Sequence, residues 1–154
     1  MERTRGFTLV EILIVVVLLG ILAAIVIPTV SQGATAARDS ALASNLHLLR
    51  RFTLIYAAQH QEAMPGYTAE GVADPEAFRA QATMASTVTG ETAVPGTPGY
   101  DRGPYMLKLP VNPLSKKDTI QIVEEFEAGD GSDGWQYKPV TGEVQADYEG
   151  YEDY

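Results

Sequence analysis

One stretch constrains this chain more than any other. From Phe7 to Pro28 the sequence is almost wholly apolar, and Glu11 is its sole charge. The run Ile12–Ile27, extended by Phe7–Val10 and Pro28–Val30, reaches the ~20 helical residues that match a bilayer. An ordinary secretory signal has a shorter apolar core and then a small-x-small cleavage site. Ala23-Ala24 offers small residues, but Ile25, Val26 and Ile27 carry the run straight past them. A plain single-pass anchor, its N-terminus held in the cytoplasm by Arg3 and Arg5, accounts for the hydrophobicity. It does not account for Glu11.

A carboxylate near the start of a membrane helix is costly and is usually paired or functional. No Lys or Arg lies in the apolar stretch that follows. Glu11 can be protonated and neutral. Alternatively, cleavage after Gly6 makes the α-amino group of Phe7 a cation at the same depth, and a neighbouring copy shifted along the axis brings that amine to Glu11. Pairing in low dielectric offsets the desolvation and fixes the stagger between subunits. Gly6 suits a cleavage point, having no side chain to obstruct a protease. Pro28 removes a backbone hydrogen bond and clashes with the preceding turn, which predicts a bend or local melting. Gly20 and Ala24 form a small-xxx-small pair that admits a second helix, or equally serve as lipid-facing filler.

The sequence Gly6-Phe7-Thr8-Leu9-Val10-Glu11, with the apolar run to Pro28, resembles the class III signal of type IV pilins and type II secretion pseudopilins over residues 1–32. The resemblance implies that a prepilin peptidase cuts between Gly6 and Phe7 and methylates the new Phe7 amine. It places Glu11 at the family's glutamate and Pro28 at its helix-kinking proline. It also implies a bacterial inner-membrane subunit, N-terminus cytoplasmic and C-terminal domain outside, that an assembly platform polymerises with identical or related pilin subunits.

Beyond Pro28 the helix turns amphipathic. Leu42, Leu46, Leu49 and Tyr56 recur at helical spacing, widened by Leu48, Phe52 and Ile55, while Arg38, Asp39, Arg50 and Arg51 suit an exposed face. One helix from Phe7 to about His60, ended by Pro65-Gly66, would measure roughly 80 Å. Asp74-Pro75-Glu76 reads as a helix start, with Asp74 the N-cap of a short helix to about Met84. Thr87 to Gly103, dense in Gly and Pro, reads as a loop. Tyr105–Pro110 is expected to be extended and Thr119–Phe126 a strand. Trp135–Lys138 and Glu143–Tyr148 form a hairpin around Pro139-Val140-Thr141-Gly142, with Trp135 and Tyr137 on one face.

The predicted fold is therefore α+β, a long N-terminal helix packed on a small antiparallel sheet. It divides into a leader (1–6), a transmembrane and filament-core half-helix (7–30), an amphipathic half-helix (31–62) and a globular exported domain (63–154). Met64-Pro65 and Gly103-Pro104-Tyr105-Met106-Leu107-Lys108-Leu109-Pro110 resemble stretches of the G-type major pseudopilins. Where that family continues Asp-Pro-Trp-Gly, this chain has Asn112-Pro113-Leu114-Ser115.

From Asp118 to Tyr154 eleven acidic residues face one Lys, in a chain of net charge −9, which argues against nucleic acid as a partner. The chain has no cysteine, so neither the disulfide loop common in major type IVa pilins nor a thiolate metal site is available. Asp130-Gly131-Ser132-Asp133-Gly134 offers oxygen ligands, and the G-type resemblance adds calcium as a cofactor. The segment fails EF-hand spacing, and a solvated turn is the alternative. His47 and His60 are expected on the helix surface. The tail Asp147–Tyr154, alternating acid and aromatic, reads as a partner-binding strip or a disordered, solvating end. No catalytic constellation appears. The reading is a structural subunit of a type II secretion pseudopilus, with a type IV pilin as the alternative. A membrane-anchored exported binding module is the rival from another class.

Overall fold

The computed structural model describes the backbone of residues 7–151, with side chains for 7–24 and 33–151. Two compact units divide at residue 38. Helix α1, Leu9–Gln59, contributes to both. In the first unit, every large apolar side chain from Phe7 to Leu22 is exposed. The helix runs through Pro28, whose side chain is outside the described set. Among the described residues no helix is long and apolar enough to cross a membrane. The apolar sequence continues through Ile25, Val26 and Ile27, also beyond the described side chains.

The second unit, from Asp39, holds the core. Leu42, Leu46, Leu49, Phe52 and Tyr56 of α1 are buried at helical spacing, and His60 continues the stripe one turn further. The stripe is narrower than the sequence suggested: Leu48 and Ile55 are exposed. The end of α1 also differs from expectation. Gln61 and Glu62 take φ of 56° and 64°, and Glu62 N donates to Ala57 O, so a left-handed turn closes the helix before Pro65 is reached.

Helix α2, Pro75–Thr83, starts as expected, with Asp74 Oδ1 accepting from Glu76 N at 2.9 Å and Pro75 in the first turn. It buries Phe78 and Ala82 against α1 residues of the same core. The stretch read as a loop supplies β2 (Thr92–Ala93), which pairs antiparallel with β1 (Ala85–Ser86) just before it. The residues Tyr105–Pro110 form no strand; they deliver Met106 and Leu109 to the core.

The main sheet corrects the expected antiparallel arrangement. Strands β4 (Trp135–Lys138) and β5 (Glu143–Ala146) form the antiparallel hairpin, but β3 (Ile120–Ile122), shorter than read, pairs with β4 in parallel. A parallel pairing needs a connection of about a dozen residues to carry the chain back. Here residues 123–134 supply it. That return loop also explains why both faces of the hairpin are buried. Trp135 and Tyr137 face the helices, while Gln136 and its register partner Gln145 face the loop. Glu127 N donates to Gln136 Oε1, and Gln145 Nε2 donates to Glu127 O, so polar pairs bind the loop to the sheet. Edge strand β5 is capped by Arg50, whose Nε and an Nη donate to Val144 O.

Candidate functional site

The head of α1 is the first candidate. Thr8 precedes the first helical residue, and its Oγ1 accepts from Glu11 N at 3.3 Å. Glu11 Oε2 in return accepts from Thr8 N at 2.8 Å and from Thr8 Oγ1 at 2.7 Å. This is a reciprocal capping box: the side chains at the N-cap and at the third helical position satisfy each other's backbone donors. It gives Glu11 a partner within its own chain that is not a basic residue. The signal was legible, since Thr-x-x-Glu before an apolar run is the capping-box signature. Phe7 stands just outside the box and is 78% exposed. Gly6 lies outside the described residues, so the predicted cleavage point has no structural description. Gly20 meets nothing within 4 Å of where a Cβ would sit, leaving that helix face open.

The second candidate is the C-terminal loop cluster. Asp147 is buried, and its carboxylate gathers four donors. Oδ1 accepts from Asp130 N and Gln136 Nε2; Oδ2 accepts from Asp133 N and, at 3.5 Å, Ser132 Oγ. Asp130 Oδ1 accepts from Ser132 N. Calcium takes six to eight oxygens, largely carboxylates and carbonyls. Among the described residues no group of three or more His, Cys, Asp or Glu side chains could hold a metal ion. The oxygens of Asp147 face protein N–H and O–H groups, so this donor set does not fit a calcium cage.

That cluster also corrects the reading of the tail. Asp147 is a buried organiser, Tyr148 and Tyr151 meet edge to face at 6.0 Å, and Tyr151 Oη donates to Asp39 Oδ1 at 3.0 Å. The tail is docked as far as Tyr151, and residues 152–154 lie outside the described set. His60 is the other correction: it is buried, not on the helix surface as expected. The departure at Asn112-Pro113-Leu114-Ser115 has its own structural use. Buried Asn112 accepts from Leu114 N and donates through Nδ2 to Gly134 O, tying the entry of β3 to that of β4.

No solved structure matches the chain. Residues 1–27 match the family model described as the prokaryotic N-terminal methylation motif. The chain is 29% identical over 113 residues to type II secretion system core protein G of Klebsiella pneumoniae, covering 73% of this chain and 71% of that protein. The chain thus carries a prepilin-type N-terminal methylation motif and is similar to a type II secretion pseudopilin. The motif spans the capping box and the exposed apolar helix, and the similarity to core protein G extends over most of the second unit. The head of α1 lies within the matched motif, and the C-terminal cluster lies in the second unit.

Proposed function

We propose that this chain is made as a prepilin and works as a structural subunit of a type II secretion pseudopilus. A prepilin peptidase removes residues 1–6 by cutting between Gly6 and Phe7 and methylates the Phe7 amine. Before assembly the subunit waits in the inner membrane, single-pass, with Arg3 and Arg5 favouring a cytoplasmic N-terminus in the precursor. The domain from Asp39 onwards then lies on the far side. Extraction by the assembly platform lets the apolar helices of successive copies bury one another. Such a head-to-tail interface does not close on itself and so builds a helical filament.

The observation that carries this reading is the Thr8–Glu11 box at the head of a helix whose large apolar side chains are all exposed from Phe7 to Leu22. A helix that is apolar all round requires a bilayer or other helices around it. The box orders the Glu11 carboxylate close in sequence to the amine that cleavage would expose at Phe7, which supports pairing with a shifted neighbour's amine. Pro28, within the continuous helix, would weaken one backbone hydrogen bond and so ease a bend between the filament half and the domain half on assembly.

The deciding experiment is mass analysis of the N-terminus, combined with a secretion assay in a strain lacking this gene. The expected mature chain begins at methylated Phe7, and export fails in the deletion strain and returns on complementation. A mature chain that begins elsewhere, or export that is indifferent to the deletion, refutes the proposal.

A further inference from the structure

The loop between β3 and β4 is met by a cation from the segment that enters β3. Lys117 Nζ donates to Gly131 O at 3.0 Å and to Ser132 O at 2.5 Å. We propose that the ammonium of Lys117 is the internal cation of the Asp130–Gly134 loop, serving where a divalent ion would otherwise gather those carbonyls, so that this domain folds independently of calcium. The inference stands apart from the filament role and concerns how the domain is held together.

Two convergent carbonyls beside an acidic side chain are the usual surroundings of a hard cation. A Lys ammonium is a compact point charge with three donors and can meet the same oxygens. Its delivery is built into the backbone. Asn112 N donates to Lys117 O at 2.8 Å, and a Cβ on Gly134 would lie 2.5 Å from that same oxygen. Gly134 therefore lets the Lys117 backbone press directly against the end of the loop. Asp130 adds the anionic side of the arrangement, its carboxyl held below the ordinary range first by its bonds to Ser132 and, further down, by the charge of Lys117. A divalent ion entering here would have to displace a tethered ammonium. It would then find the inward carboxylate of Asp147 already engaged by Asp130 N, Asp133 N and Gln136 Nε2.

The test uses the full chain in detergent micelles, with thermal unfolding followed by Trp135 fluorescence and amide exchange of residues 128–134 followed by mass spectrometry. Wild type should unfold at the same temperature in EGTA and in excess calcium chloride. Lys117→Met should lower that temperature by about 2–4 °C, a small effect because the lysine is exposed and solvent screens it. The variant should also exchange its loop amides about tenfold faster. Lys108→Met, an exposed lysine elsewhere in the domain, should change neither quantity. A saturable rise of the wild-type unfolding temperature with calcium would overturn the proposal, as would loop exchange in Lys117→Met matching that of Lys108→Met.

Discussion

The imidazole of His60 lies flat on the ring of Tyr56, with centroids 3.7 Å apart and planes 7° from parallel. Its Nδ1 is 2.8 Å from Tyr56 O, and its Nε2 is 3.0 Å from Ser86 Oγ. A carbonyl can only accept, so Nδ1 carries the hydrogen and Nε2 accepts from the serine. The ring thus fastens the last turn of α1 to β1, and it does so as a neutral imidazole. Burial pushes its pKa down, and the Arg102 guanidinium adds to that; the hydrogen bond to Tyr56 O works the other way and is outweighed.

Acid should therefore loosen this junction. Below the ordinary histidine value of 6.5 the unfolded chain binds a proton that the folded chain refuses. Stability is complete above that value, falls as pH drops through it, and stops falling below the folded pKa. Unfolding temperatures measured by Trp135 fluorescence should decline as pH drops below the ordinary histidine value of 6.5. His60→Gln should be less stable at neutral pH but lose that part of the slope. An unchanged slope in the variant would assign the acid sensitivity elsewhere.

A second prediction concerns the return loop. A Cβ on Gly129 would sit 2.0 Å from Tyr148 N and 2.6 Å from Asp147 C. These are backbone atoms and cannot rotate away. Gly129→Ala should destabilise the domain by about 3 kcal/mol in urea unfolding, the upper range for overpacking. Gly33→Ala, which meets nothing within 4 Å in a helix, should be neutral or slightly stabilising.

The contrast between these sites shows what could be read from residues alone. The α1 stripe was legible because Leu42, Leu46, Leu49 and Tyr56 follow a local period, and the α2 start because Asp74-Pro75 is local capping chemistry. The hairpin was legible from alternation about Pro139–Gly142. His60 was within reach, being the next step at i+4 after Phe52 and Tyr56. The parallel pairing of β3 was not, since period-2 alternation is the same for either strand direction and only the path of residues 123–134 decides it. Nor was the docking of the tail, where Tyr151 finds Asp39 across 112 residues of sequence. At the head of α1 Glu11 stood out because a lone charge in an apolar run is conspicuous. Thr8 did not, because its contribution is a pairing.

Tyr137 offers a third test. Its ring is fully buried against Phe78 with centroids 4.5 Å apart, and its hydroxyl donates to Pro65 O at 2.8 Å. Tyr137→Phe keeps the packing and strands that carbonyl, so it should cost about 1–2 kcal/mol in urea unfolding. Tyr137→Ala should cost about 3–5 kcal/mol through the added cavity. Equal losses in the two variants would mean that the hydrogen bond, not the ring, dominates.

The last prediction separates the two roles open to Glu11. Within one chain its carboxylate completes the cap with Thr8; between chains it is proposed to meet the Phe7 amine of a neighbour. Glu11→Ala removes both roles, and Thr8→Val removes only the cap hydroxyl while keeping a similar shape. On the proposed processing both variants should still be cut after Gly6, since cleavage would precede assembly, and mass analysis of the mature N-terminus checks this. Filaments recovered by shearing should fall at least tenfold for Glu11→Ala, and export with them. Thr8→Val should retain a substantial fraction of wild-type filaments, since a cap at an exposed helix start contributes modestly. A loss in Thr8→Val as complete as in Glu11→Ala would mean that assembly depends on the ordered helix start itself. The charge pair between subunits would then be unnecessary to explain the glutamate.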